Sequence, residues 1–371
     1  MKSKLRLTLF IISSMWLLAL GTSQGQAADS RPYALNVPNH LFYLPLVLSD
    51  YPHKIAFINQ EALWTINEDA SNLQQLTFPS QSESLGPPSW SPDGRQLVFV
   101  GSYPEQQMIY TIQADGSDIK LIFAGSPIVA DPKWSPDGAH IAFADQIPGE
   151  SSSNLLLINP IDSMATSILT AAGTITGITW SPDSSHLAYS LKVPNEKGAY
   201  LYVTPLQGSP QLLSPNLYQE DYLPNKSPTW SPDGVNIAFI RQNGEGSSLF
   251  IIHSDGSGLT ELTPDMGDGP NGVFMIVSSP SWSPDGQQIV VVGLGGPISL
   301  IEFLRIEADG SGWNIIPKPG WWATEVMWAP LANRLVIGTQ TAHFAQDLFV
   351  VDPDGSNSVY LGKGENPVWQ P

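Results

Sequence analysis

The sequence predicts an all-β protein, a seven-bladed β-propeller built from four-stranded antiparallel blades. A Trp-Ser-Pro-Asp-Gly motif, with degenerate copies, recurs at intervals of 41 to 52 residues, and a period of this size is typical of one propeller blade. The 371 residues include 33 Pro and 32 Gly, a density that favours short strands and tight turns over helices. An apolar fraction of 42% is sufficient for a sizeable core.

One tryptophan marks each repeat. The seven copies begin at Trp90, Trp134, Trp180, Trp230, Trp282, Trp328 and Trp369. The first five carry Ser-Pro-Asp after the Trp, and the last two are degenerate. Large rings at one position of every blade are expected to pack between neighbouring blades. The repeated Asp is expected to stabilise its turn through backbone hydrogen bonds, without a metal.

Each repeat predicts four strands in order. The first strand ends at the Trp, and Pro-Asp then forms a turn because Pro fixes φ at its second position. An apolar run such as Gln96–Val100 is the second strand, and Met108–Ile112 is the third. A second turn follows, with the sequence Asp115-Gly116-Ser117 in this repeat, and Asp-Gly is a strong hairpin signal. A more polar strand, here Lys120–Phe123, completes the unit.

The two ends of the repeat region complement each other. Residues 54–78 supply strands two to four of a unit that has no preceding motif, and Asn366–Trp369 is a first strand with nothing after it. We therefore predict that the C-terminal strand closes the first blade, giving one propeller domain over residues 53–371. Closure removes sheet edges that would otherwise invite aggregation. A six-bladed ring is the alternative.

The N-terminus resembles a targeting segment. A basic start is followed by an apolar run over Leu7–Leu20 and small residues up to Ala28, which predicts a signal peptide over residues 1–28. A retained anchor is the alternative. We therefore expect an exported protein, periplasmic, cell-surface or secreted, without a transmembrane segment in the mature chain. Residues 29–52 are expected to be a linker or pre-propeller segment, and their apolar stretch Leu41–Leu48 indicates packing along the ring or a spacer near the envelope.

Composition excludes several classes of function. The net charge of −18 argues against nucleic-acid binding, which needs clustered cations. The absence of Cys removes disulfides and thiolate sites, and the six His show no ligand spacing, so we expect neither a cofactor nor a metal. Calcium at the oxygen-rich loop of Asp265, Asp268 and Asn271 is the weaker alternative. No Gly-x-Ser-x-Gly elbow or phosphate loop is present in a suitable context.

The repeat resembles that of a known family. The Trp-Ser-Pro-Asp-Gly turn, the Ile141-Ala142-Phe143 strand and the Asp-Gly-Ser turn are similar to the WD40-like repeat of the TolB propeller family. The same repeat occurs in the non-catalytic propellers of prolyl oligopeptidases and in secreted bacterial surface proteins. The resemblance covers residues 53–371 and implies the propeller fold. It does not name a function, because propellers host many functions. The few His residues count against a resemblance to propeller lyases with a histidine-rich metal centre.

Loop chemistry predicts where a ligand would bind. In such blades the first and third turns emerge on one side of the ring, the turn face, while the second loop and the connection between blades emerge on the opposite loop face. The turns are stereotyped, whereas the loops vary, and function usually lies on variable loops. The candidate ligand or partner residues are Tyr218, Asp221, Tyr222, Trp321 and Trp322.

A second group of candidates is expected at the mouth of the central channel. Each of its members precedes a repeat Trp by three positions, on the innermost strand. They are Asp131, Ser227, Ser279, Glu325 and Asn366. A cation or water cluster at these side chains is one interpretation, and a solvated polar ring is the other.

Together these observations predict an exported, non-enzymatic scaffold that binds a protein or cell-envelope component as a monomer. The alternative is a secreted hydrolase or lyase of polysaccharide or peptide that uses Asp131, Asp221 or Glu325. Two carboxylates about 5–9 Å apart in a pocket would favour that enzyme. A structural surface protein without a specific ligand is a third alternative.

Overall fold

The structure is a computed structural model. The described residues are 34–37, 40–43, 53–78, 84–125, 128–146, 149–196, 199–214, 228–243, 246–263, 275–276, 278–295, 300–320, 322–340 and 346–371. The predicted signal peptide lies outside them. No helix within these ranges is both long and apolar enough to cross a bilayer.

Seven antiparallel sheets form the predicted ring of blades, and blade 1 is the one that begins with Lys54. Each blade is described from the central channel outwards. The innermost strands of blades 1 to 7 are Glu365–Trp369, Ser89–Trp90 with Ser84–Leu85, Val129–Trp134, Thr174–Trp180, Thr229–Trp230, Ser281–Trp282 with Met275–Ile276, and Trp322–Trp328. The second strands are Lys54–Asn59, Gln96–Ser102, Ile141–Gln146, His186–Lys192, Asn236–Asn243, Gln288–Gly295 and Leu335–Gln340.

The outer half of each blade completes the sheet. The third strands are Ala62–Asn67, Gln107–Gln113, Ser152–Ile158, Tyr200–Pro205, Gly246–His253, Leu300–Glu307 and Gln346–Val351. The outermost strands are Gln74–Gln75, Lys120–Ala124, Ala165–Ala172, Gln211–Ser214, Thr260–Glu261, Trp313–Ile316 and Val359–Lys363.

The C-terminal strand closes blade 1, as predicted. Trp369 pairs with Ile55 and Val368 pairs with Ala56 in antiparallel register. The backbone N–H of Gln370 donates to the carbonyl oxygen of Lys54 at 2.8 Å. Strands from both ends of the propeller therefore share one sheet, and the ring has seven blades, not the alternative six.

The hydrophobic core lies between adjacent blades. One cluster joins Leu201 and Val203 of blade 4 to Trp230, Ile237 and Phe239 of blade 5. Six of the seven repeat tryptophans are buried, with 3–9% exposure, and Trp134 is half-buried. The prediction that these rings pack between blades is confirmed.

Hydrogen bonds within the repeat turns explain the motif. The hydroxyl of Ser231 donates to Asp233 Oδ1 at 2.5 Å and accepts the N–H of Asn236 at 2.9 Å. Asp233 Oδ1 also accepts the N–H of Val235 at 3.0 Å. The following Gly234 has φ of 72°, a left-handed conformation that glycine adopts without strain. The Asp is thus part of the turn, as its position predicts.

Two local features of the structure were not predicted from the sequence. The pre-propeller segment contains a hairpin, in which Ala34–Val37 pairs with His40–Tyr43. The inner strands of blades 3, 4, 7 and 1 carry β-bulges, for example between Ala130 and Lys133. An extra residue in a strand bends it and disturbs the alternation of its side chains. The bulges lie where these strands line the channel.

Candidate functional site

The innermost strands surround a cavity of about 860 Å³ along the channel. All seven residues that directly precede a repeat Trp line it. These residues are Ser89, Lys133, Thr179, Thr229, Ser281, Met327 and Val368. Turn prolines such as Pro232, Pro284 and Pro371 also line the cavity, so it reaches the turn face of the ring. Its volume is in the range of ordinary small-molecule pockets.

The predicted channel residues fall into two groups. Ser279, Glu325 and Asn366 line the cavity. The side chain of Asp131 and the whole of Ser227 lie outside the described part of the chain. Ser279 is half-buried on the approach to the inner strand of blade 6, whereas Glu325 and Asn366 lie on neighbouring strands of blades 7 and 1.

Glu325 connects these two blades. Its Oε1 accepts the backbone N–H of Asn366 at 3.0 Å. Asn366 has φ of 52°, which is uncommon for a non-glycine residue but tolerated by Asn. Burial raises the pKa of the Glu325 carboxyl to about 7, against the opposing effect of the Asn366 hydrogen bond, and the nearby charge of Glu365 raises it further. A carboxyl in this range changes its protonation near neutral pH.

Charge is sparse along the cavity. Among the described lining residues, Glu325 has the single acidic side chain and Lys133 the single cationic side chain. Lys133 belongs to blade 3 and Glu325 to blade 7. The other lining residues supply hydroxyl groups, prolines, tryptophans and aliphatic side chains such as Ile178 and Val368. The cavity is therefore a largely apolar and hydroxyl-lined passage with one acid in its wall.

Trp322 is the one described member of the group predicted for the loop face. Trp322 begins the inner strand of blade 7, pairs with Gln340 and is 41% exposed. The connection that leads to it is anchored by an ion pair between Lys318 and Glu302, whose side chains are largely buried. Trp321, Tyr218, Asp221 and Tyr222 lie outside the described residues. The geometry therefore places one large apolar ring at this face, held on a fixed connection.

Metal-binding candidates are limited. Across the described ranges, no three His, Cys, Asp or Glu side chains come close enough together to hold a metal ion. The oxygen-rich loop with Asp265, Asp268 and Asn271 lies outside those ranges, so calcium binding there stays a prediction.

The channel residues that directly precede each Trp were not predicted from the sequence. The predicted channel residues are those three positions before the Trp. The missed positions carry no shared residue type, since they include Lys133, Met327 and Val368 as well as hydroxyl residues. Only the position of the Trp at the end of the inner strand could have pointed to them, because side chains along a strand alternate between its two sides.

Comparison with known sequences and structures identifies relatives of the chain. Residues 55–267 match the family described as the TolB beta propeller domain. An uncharacterized peptidase, YuxL of Bacillus subtilis (strain 168), is 40% identical over 84 residues, which are 22% of this chain and 12% of that protein. The chain thus matches about an eighth of the length of this curated relative.

Solved structures of different function share the fold. TolB from Acinetobacter baumannii superposes with a TM-score of 0.53 and 17% identity, covering 87% of this chain and 68% of TolB. An oligogalacturonate lyase in complex with manganese superposes with a TM-score of 0.61 and 14% identity. The match covers 84% of this chain and 85% of the lyase. At these identities the likeness establishes the fold alone, because propellers carry unrelated functions.

Proposed function

Because the chain belongs to the TolB β-propeller domain family, we propose that it is an exported, non-enzymatic protein that binds a protein or cell-envelope component through its loop face. The described ring would serve as a rigid support, and the variable loops would contact the partner. We propose that the unliganded protein is a monomer.

The observation that carries this proposal is the exposure of Trp322. An indole that is 41% exposed at the loop face presents a large apolar surface beside polar groups, and Trp is enriched at the centres of protein interfaces. The ion pair of Lys318 with Glu302 holds the preceding connection, so that little side-chain or loop ordering would accompany binding. Such preorganisation improves affinity because less freedom is lost on association.

Trp321 and the loop residues Tyr218, Asp221 and Tyr222 extend this proposal. In the sequence they fall between an outermost strand and the next innermost strand, and we propose that these connections emerge on the loop face. Two tyrosines and an acid would provide the polar rim that surrounds the apolar centre of many interfaces. Their contribution is proposed from their position along the chain.

A capture experiment tests the proposal. The full chain is immobilised and exposed to envelope extract, and retained proteins or glycans are identified by mass spectrometry. Trp322→Ala should lose the retained partner, whereas Tyr360→Ala, which removes a ring that is 51% exposed on the outermost strand of blade 7, should retain it. Equal retention by both variants would contradict binding at the loop face.

One observation favours the enzymatic alternative. The pKa of Glu325 near 7 suits a general acid at neutral pH, and Glu325 lies in a cavity. A hydrolase or lyase would need a second carboxylate, for which Asp131 and Asp221 are the candidates. Incubation of the chain with oligosaccharide and peptide mixtures should release no products under our proposal. Product release that disappears in Glu325→Gln would establish the alternative.

A further inference from the structure

We propose that the channel binds a primary alkylammonium group, with the carboxylate of Glu325 as its counter-ion and the side-chain oxygen of Asn366 as a second acceptor. This site lies inside the ring and is separate from the loop face, so it goes beyond the binding function proposed above. The ligand could be the side chain of a lysine or a free polyamine, since both present the same cationic end.

The hydrogen bonding of Glu325 leaves one oxygen available. Oε1 accepts the N–H of Asn366, and Oε2 accepts no hydrogen bond from the described residues. The amide side chain of Asn366 lines the same cavity and likewise has no hydrogen-bond partner among them. An ammonium group has three N–H donors and no acceptor, so it can donate to both a carboxylate oxygen and an amide oxygen that line one cavity.

The backbone places these two residues next to each other on adjacent blades. A β-bulge lies next to Glu325, where the register shifts after Ala323, and another surrounds Asn366 in the C-terminal strand. Bulges redirect side chains and are common beside functional sites. Asn366 has a left-handed φ and its backbone N–H donates to Glu325, so the hydrogen bond fixes the carboxyl relative to the backbone of Asn366.

The surroundings fit an alkylammonium better than a divalent metal. Calcium takes six to eight oxygen ligands and usually several carboxylates, whereas Glu325 has the single acidic side chain among the described lining residues. Aliphatic walls from Ile178, Met327 and Val368 can pack against a hydrocarbon stem. The net charge of −18 attracts cations to the protein as a whole.

The charged neighbours of Glu325 are few. Glu365, on the inner strand of blade 1, adds negative charge and raises the pKa of Glu325. Lys133, on the inner strand of blade 3, is the cation that lines the same cavity. Neither the rest of the blade 7 inner strand nor the adjacent Leu335–Gln340 strand contains an ionisable acid or base. The Leu300–Glu307 strand of blade 6, which packs against that inner strand, carries Glu302, Arg305 and Glu307, and Glu302 is paired with Lys318. A bound cation would therefore act mainly on Glu325 and favour its deprotonated form.

Calorimetric titration of the full chain tests this site. The probe is n-pentylammonium, and the neutral 1-pentanol is the matched control. Because Glu325 must be deprotonated to pair with the cation, the affinity for pentylammonium should rise about tenfold from pH 6 to pH 8. Binding near pH 6.5 should release a proton, which repeated titrations in buffers of different ionisation enthalpy detect. Equal binding of 1-pentanol would overturn the proposal.

Variants assign the effect to the two side chains. Glu325→Gln should lower the affinity at pH 8 at least tenfold and abolish its pH dependence. Asn366→Gly keeps the backbone N–H and suits the left-handed φ, and it should weaken binding about threefold. Glu365→Gln is the control and should keep the pH-dependent binding. Unchanged affinity in a folded Glu325→Gln variant, or binding of Ca²⁺ without pentylammonium, would refute the site.

A second comparison distinguishes the two sources of the cation. Nα-acetyl-lysine methylamide represents a lysine side chain, and spermidine represents a free polyamine. Tighter binding of the lysine derivative would indicate a protein ligand, and tighter binding of spermidine a polyamine. Failure of both to bind would overturn the proposal, and it would leave the binding of a partner at Trp322 unaffected.

Discussion

The indole Nε1 of Trp90 donates a hydrogen bond to the carbonyl oxygen of Val368 at 3.1 Å, across 278 positions of sequence. Trp90 belongs to blade 2 and Val368 to the C-terminal strand of blade 1, so the bond joins neighbouring blades at the point of ring closure. Equivalent bonds run from Trp180 to Lys133 and from Trp282 to Thr229. These three tryptophans therefore link blades through a directed hydrogen bond as well as through packing.

Removal of residues 366–371 should destabilise the whole ring. It takes the inner strand from blade 1, exposes the edge of Lys54–Asn59 and removes the acceptor for Trp90. We expect a fall of about 10 °C or more in melting temperature, since several kcal/mol of packing and hydrogen bonding are lost. Calorimetry of the truncated chain measures this, and an unchanged melting temperature would contradict closure by the C-terminal strand.

Two tryptophan substitutions separate the hydrogen bond from packing. Trp90 and Trp230 are both buried, at 5% and 9% exposure, but Nε1 of Trp230 has no hydrogen-bond partner among the described residues. Trp90→Phe and Trp230→Phe remove similar ring volume. We expect Trp90→Phe to cost about 1 kcal/mol more in the free energy of unfolding, because it also leaves the Val368 carbonyl without its donor. Urea denaturation of both variants measures the difference, and equal costs would show that the bond adds nothing.

The turn motif offers a comparison between buried and exposed serine. Ser231 is 2% exposed and bonds both Asp233 and the N–H of Asn236. Ser257 makes a similar bond to Asp255 on the surface. Ser231→Ala should cost about 1–2 kcal/mol and Ser257→Ala less than about 0.5 kcal/mol, because water replaces the exposed bond but not the buried one. Equal costs in chemical denaturation would mean that burial of the turn is unimportant.

Blade number and strand order could be predicted from the sequence because most repeats carry the same residues at their turns and at the end of their inner strand. A Trp, a turn Pro and a turn Asp recur in register, and each acts within its own blade or on the next one. The bulges could not be predicted in the same way. At the bulge position, three residues before the Trp, Gly177 and Asn366 both adopt positive φ, yet they share no residue type with Glu325 or Asp131. What determines the bulge is the pairing between strands, which a single sequence does not display.

Candidate site residues were harder to predict than the fold. The placement of Glu325 near the channel followed from its offset before Trp328, but its bond to Asn366 depends on how blades 7 and 1 meet. Desolvation is the largest cause of the raised pKa of Glu325. It arises from the packing of the ring, so the residues next to Glu325 in the sequence do not predict it. The sequence predicts that at least one of Trp321 and Trp322 is exposed, because two adjacent side chains on an extended strand cannot both point inwards.

Titration of Glu325 should make stability depend on pH. Its folded pKa of about 7 lies above the ordinary 4.5, so the folded state holds the proton more tightly. The resulting stabilisation is fully present below about pH 4.5 and is lost as pH rises through 7. Between pH 5 and pH 8 the wild type should lose about 2–3 kcal/mol relative to Glu325→Gln. Urea denaturation of both proteins across this range measures it, and parallel pH profiles would show that Glu325 ionises normally.

The affinity of Trp322→Ala for the captured partner is the most direct test of the proposed function. The measurement uses the purified full chain and the purified partner, with Tyr360→Ala as the control and thermal unfolding to verify the fold. We predict that Trp322→Ala binds about 30-fold more weakly, which corresponds to about 2 kcal/mol, with a melting temperature close to that of the wild type. Wild-type affinity in a folded Trp322→Ala variant would contradict recognition through the loop face.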